Sequence, residues 1–94
     1  MVKILVCCAS GSGTSMMMKL AAEKACKALG IEGQVAHMPI AEAKSAARNY
    51  DIVITSPAFV ATFDSVKDHV KIAAVKNPLS QAEYSEILKA NGLA

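Results

Sequence analysis

Ile4-Leu5-Val6-Cys7 is an apolar run with no polar interruption. A strand with one face in water alternates polar and apolar residues. An unbroken run marks a strand covered on both faces, as in parallel sheets. The next residues narrow the choice further. Ala9 to Thr14 are all small, and beyond them Met18, Ala21, Ala22, Ala25, Cys26 and Leu29 fall on one helical stripe, with Lys19, Glu23, Lys24 and Lys27 opposite. Gly30 stands where such a helix ends. A buried strand feeding an amphipathic helix through a tight turn opens a fold of alternating strands and helices.

The rest of the chain continues the alternation. A short second strand is expected around Gln34 to His37, then Pro39 and a weaker helix from about Ala41 to Asn49. Asp51 opens a third strand, Ile52-Val53-Ile54-Thr55, stopped by Ser56-Pro57. Ala58 to Asp68 fits a short helix or a loop equally well. Lys71 to Val75 reads as a fourth strand, broken by Asn77-Pro78. Ser80-Gln81-Ala82-Glu83 is a capping box for a last helix ending near Asn91-Gly92. Right-handed crossovers turn this order into an α/β fold: a four-stranded parallel sheet, order 2-1-3-4, with helices on both faces. The expectation is a single three-layer domain over residues 1–94, with the capped last helix as its close. Ligands of such sheets bind at the carboxyl ends of the strands, where the strand order reverses. Here that is the loop Cys8 to Ser15.

Composition excludes several classes. Four aromatic residues in 94 cannot both line a wide cavity and build a core, so a surface site is expected. The net charge of +2 is spread as isolated lysines, unlike the clustered basic face of a nucleic-acid binder. Three cysteines, two of them adjacent, suit neither a disulfide framework nor the paired spacing of a zinc site. Met1 to Val6 is too short for a signal peptide, and no stretch approaches the roughly 20 apolar residues of a membrane span. A reducing, cytoplasmic setting is expected, with no insertion into the membrane.

The loop carries the chemistry. Its small residues, Ala9-Ser10-Gly11-Ser12-Gly13-Thr14-Ser15, let the backbone curl so that its N–H groups converge ahead of a helix amino terminus, which suits an anion. Cys8 at the rim feels the same positive potential. Its pKa should fall, making the thiolate the reacting form. A nucleophile beside a phosphate cradle suggests covalent phosphoryl transfer. Other phosphate motifs do not fit. Thr14 stands after Gly13 where the Walker pattern needs Lys, and Met16 stands where the dinucleotide fingerprint needs a small residue. A cysteine phosphatase or an arsenate reductase on this loop would need an arginine six positions after Cys8, and that position is Thr14. Without the bidentate guanidinium the loop would keep a phosphocysteine, not discharge it to water.

The segment Val6-Cys7-Cys8-Ala9-Ser10-Gly11-Ser12-Gly13-Thr14-Ser15-Met16-Met17-Met18-Lys19 resembles the active-site loop of phosphotransferase-system IIB proteins. It is most similar to the ascorbate type, whose loop runs Cys-x-x-Gly-x-Gly-x-Ser-Met. Weaker likeness extends through Asp51 to Ser56, Lys71 to Asn77 and Leu79-Ser80. Galactitol-type and lactose-type IIB proteins share the fold and the cysteine, with less similar loops. The resemblance implies a phosphoryl carrier: Cys8 takes the group from a phosphohistidine of IIA and passes it to a sugar held by the membrane component IIC. Cys8 matches the family's cysteine, and Gly11, Gly13 and Ser15 match its loop. No metal or cofactor is implied, since the loop supplies the stabilising dipoles.

Strand alternation places Cys7 in a helix-covered face if Cys8 turns into the loop, and Cys26 belongs to helix packing. Thr14 or Ser15 is expected to cap the first helix. His37 is expected near the site edge and His69 at the opposite one. Ser56-Pro57-Ala58 is expected to border the loop. Whichever of Met16, Met17 and Met18 faces outward would offer IIA an adaptable apolar contact.

Overall fold

The computed structural model describes residues 2–8, 13–77 and 80–93, with the backbone alone at Cys8 and at residues 13–15. The first apolar run becomes β1 (Val2–Cys8), followed by α1 (Gly13–Leu29), β2 (Gly33–Pro39) and α2 (Ile40–Ala46). A 3₁₀ turn (Ala47–Asn49) leads into β3 (Ile52–Thr55), a second 3₁₀ segment (Pro57–Phe63), β4 (Lys71–Ala74) and α3 (Gln81–Ala90). The sheet order is β2-β1-β3-β4 and every pairing is parallel, as the alternation predicts. The register sets Cys8 level with Pro39, and Val6 level with both His37 and Ile54.

Period-two alternation sorts the central strands into two cores. Ile4, Val6, Ile52 and Ile54 pack with Met18, Ala21, Ala22, Ala25 and Cys26 of α1, and with Tyr84 and Leu88 of α3. Leu5, Cys7 and Val53 face the other way, onto Ala43, Ala47, Phe63, Val66 and Val70. The helical stripe read from the sequence is therefore the buried face of α1. Cys7 and Cys26 are both buried, as expected of packing residues.

Both long helices stop in the same way. Ile31 N donates to Cys26 O and Gly30 N to Lys27 O, with Gly30 at φ 73°. Leu93 N donates to Leu88 O and Gly92 N to Lys89 O, with Gly92 at φ 74°. Each is a Schellman closure around a left-handed glycine.

The structure refines several expectations. β2 runs to Pro39, since an edge strand tolerates a proline whose missing N–H is not needed by a neighbour. The ambiguous stretch after β3 is a 3₁₀ segment that buries Phe63. The strand β4 closes at Ala74, although Val75 N still donates to Thr55 O at 2.8 Å. The capping box is half formed. Ser80 Oγ accepts from Glu83 N at 3.3 Å, but the Glu83 carboxylate turns to the N–H groups of Lys76 and Asn77. It thus ties down the β4–α3 connection.

Candidate functional site at the carboxyl end of the sheet

The site expected from the sequence lies where β1 ends and α1 begins. Cys8 is the last residue of β1. The residues Ala9, Ser10, Gly11 and Ser12 lie outside the described residues, so the expected contacts of this part of the loop are not described. The chain re-enters as helix at Gly13, which corrects one expectation: Thr14 and Ser15 are first-turn residues of α1, not its cap. The reason is that the helical backbone already includes both residues, starting at Gly13. A first turn at Gly13, Thr14 and Ser15 puts three backbone N–H groups without intrahelical partners at this end of the sheet. The first turn carries no acidic side chain, and α1 is 17 residues long. An anion placed there meets the positive end of the helix dipole.

Neighbouring strands complete the rim. Pro39 lies level with Cys8 on one side. On the other, β3 ends in Thr55, which is fully buried, and passes into half-buried Ser56 and exposed Pro57. Ser56-Pro57-Ala58 thus follows the strand next to β1 at this end, as anticipated. Half-buried His37 sits level with Val6, two residues short of Cys8, and exposed His69 lies before β4 at the far end of the sheet. The three methionines divide: Met18 is in the core, while Met16 is 46% and Met17 53% exposed. With Leu20, 49% exposed, they form an apolar strip on the first turns of α1.

The other cysteines are poor nucleophiles. The Cys7 thiol is buried and donates to the Ile54 carbonyl at 3.9 Å. Burial pushes the Cys26 thiol up from its ordinary pKa, with a smaller push from the Glu23 carboxylate, against a lowering backbone hydrogen bond. Among the described residues no group of three or more His, Cys, Asp or Glu could hold a metal ion, and no helix is long and apolar enough to cross a membrane. Thr55, whose hydroxyl is an unpartnered buried group, was missed in the sequence. A threonine ending a strand carries no signal that separates it from an ordinary one.

Comparison with known proteins agrees with this geometry. Residues 3–90 match the family model for the lactose/cellobiose-specific IIB subunit of the phosphotransferase system (PTS). The chain is 31% identical to a protein of Mycoplasma pneumoniae named as the ascorbate-specific PTS system EIIB component, over 90% of this chain and 88% of that one. It is also 31% identical to the Shigella boydii protein of the same name, over 96% of this chain and 92% of that one. The solved lactose-specific IIB component domain from Streptococcus pneumoniae superposes with a TM-score of 0.76 over 96% of both chains, at 18% identity, a likeness of fold. Strand order, helix placement, the cysteine at the switch point and the match along nearly the whole sequence converge, and the chain belongs to the PTS IIB family, the phosphoryl-transferring IIB components of sugar phosphotransferase systems.

Proposed function

We propose that this chain is a phosphoryl carrier whose Cys8 becomes a phosphocysteine, held by the backbone N–H groups of the loop Ala9, Ser10, Gly11, Ser12, Gly13, Thr14 and Ser15. One observation carries the reading: the strand β1 ends on Cys8, and a helix with no acidic residue in its first turn begins five positions later. A thiolate at that place lies in the field of the helix terminus, which favours both its ionised form and a dianion bonded to it.

The donor is the phosphohistidine of a IIA protein. The Cys8 sulfur attacks phosphorus, a S–P bond forms, the P–N bond breaks, and its electron pair returns to the imidazole nitrogen. The loop N–H groups neutralise the three equatorial oxygens as the group passes. In the second step a sugar hydroxyl bound by the membrane component IIC attacks phosphorus. The S–P bond breaks, the thiolate is regenerated and the hydroxyl proton goes to a base of IIC. Ascorbate is the sugar we assign, because the Mycoplasma and Shigella relatives carry that name over nearly their full length. The setting is the cytoplasm, where both partners present their reacting groups, and residues 1–94 act as one IIB domain.

Intact mass of wild type, Cys8→Ser and Cys7→Ser, each incubated with phosphoenolpyruvate, the general phosphotransferase proteins and the cognate IIA, tests the reading. One phosphoryl group on wild type and Cys7→Ser and none on Cys8→Ser is the expected result. No adduct on any protein beside an active IIA, or turnover of a generic aryl phosphate, would overturn it.

A further inference from the structure

Among the described residues, β2 and β4 are the two edges of the sheet. An edge strand leaves backbone N–H and C=O groups without ladder partners, and proteins shield such edges with short strands, lysines or prolines. The β4 edge is shielded in this way. It is four residues long, begins on exposed Lys71 and has exposed Lys76 just past its end. The β2 edge is different. It runs seven residues with no Asp, Glu, Lys or Arg among them, and its proline is the last residue.

One bond fixes which backbone groups of β2 face outward. Val2 N donates to Glu32 O, and Val2 is level with Gly33. Bonding alternates along a parallel ladder, so Gln34, Ala36 and Met38 turn their backbone groups to β1, and Gly33 and Val35 turn theirs to the open side. The helix above this edge carries a matching charge pattern. Glu23, Cys26 and Lys27 of α1 line a groove with Ile31, Glu32 and Gly33, whereas Met17, Ala21 and Lys24 line another with Gln81 of α3. Glu23 is thus on the β2 side of α1, and Lys19, one turn earlier, lies in the same row. A base and an acid one turn apart complement the same pair running the opposite way.

We propose that the β2 edge is the seam of a symmetric homodimer. The β2 strands of two copies pair antiparallel, with Val35 opposite its own copy. The level of α1 above the seam is set at Gly33, where a Cβ would meet the Cys26 sulfur. Two residues along β2, from Gly33 to Val35, cover about 6.6 Å. The same distance is about four residues back along α1, so the two-fold axis passes near Ala22. The two α1 helices then run antiparallel, with Lys19 of each copy within about one helical residue of Glu23 of the other. The contact is isologous and closes at two copies. An exposed charge pair adds little affinity, but it sets partner and register. Cys8 is level with Pro39 at the end of β2, so the two copies carry it at opposite ends of the seam. The seam therefore stands or falls independently of the carrier reading.

Sedimentation of the full chain over a concentration series tests the proposal, with wild type expected to pass from one chain to two. Lys19→Glu and Glu23→Lys each place like charges together at both pairs, and each is expected to raise the dissociation constant about tenfold. The double variant Lys19→Glu/Glu23→Lys exchanges the signs and is expected to recover wild-type association. Amide exchange at Val35 should slow as wild type associates, since its N–H enters the new ladder. A chain that stays monomeric at the highest concentration overturns the proposal. So does a dimer that tolerates both single reversals and leaves Val35 exchange unchanged, because its interface lies elsewhere. A double variant no tighter than the single ones also overturns it.

Discussion

At Gly33 a side chain has no room: a Cβ built there would meet the Cys26 sulfur at 2.8 Å. The amino end of β2 passes the last turn of α1 so closely that a methyl group at Gly33 would have to displace the Cys26 side chain. Gly33→Ala is expected to destabilise the protein by about 1–3 kcal/mol, as overpacking of a tight core contact does. Cys26→Ala removes the sulfur, so the double substitution should recover part of that loss, and a denaturant-based double-mutant cycle measures the coupling. The Cys26 helical stripe is readable from spacing alone. The role of Gly33 is not, because the clash belongs to the distance between two elements. Thr55 is similar: its residue type is ordinary, and only its complete burial without a partner sets it apart.

Among the elements, α3 has the most legible start, and its structure adds a function to that start. Ser80 caps the Glu83 N–H as the capping box predicts, while Glu83 holds Lys76 and Asn77 across the connection. Ser80→Ala should cost about 1 kcal/mol by thermal unfolding. Glu83→Gln, which keeps the side-chain length and removes the charge, should raise amide exchange at Lys76 and Asn77 specifically, because charge-assisted bonds to their N–H groups are weakened. Equal exchange in the two proteins would reject that role. The strands β1 and β3 were readable because both of their faces are apolar. The segment Pro57–Phe63 was not, since its 3₁₀ form depends on Phe63 having to reach the core beside Val66 and Val70. The capping expectation at Thr14 or Ser15 failed for a local reason: several small hydroxyl residues in a row offer equivalent caps, and sequence cannot choose among them.

The whole molecule presents an apolar strip next to the carboxyl end of β1. Met16, Met17 and Leu20 are each about half exposed on the turns of α1 nearest the loop. Under the carrier reading they are the surface on which we predict IIA to dock. Leu20→Glu is expected to slow loading from phospho-IIA several-fold while leaving the phosphocysteine half-life at the wild-type value; equal loading rates would remove the strip from that interface. The core also sets an alkaline limit. Burial, and secondarily the Glu83 charge, raise the Tyr84 hydroxyl well above its ordinary value of 10.0. The folded state therefore binds this proton more tightly than the unfolded chain. The associated stability is complete below about pH 10 and is lost as pH rises beyond it. Melting temperature should fall above about pH 10, and the fall should be shallower in Tyr84→Phe.

The amino-acid sequence by itself determined the alternation of strands and helices, the sheet order and the place of the connection from β1 to α1. Each of these rests on short-range periodicity and on the handedness of crossovers, which local residue types dictate. Tertiary structure alone decided which side chains meet across elements: Gly33 against the Cys26 sulfur, Glu83 across to residues 76–77, and the buried hydroxyl of Thr55 one strand away from Cys8. Those contacts depend on distances between elements far apart in the chain, and such distances are set by the packing of the two cores as a whole.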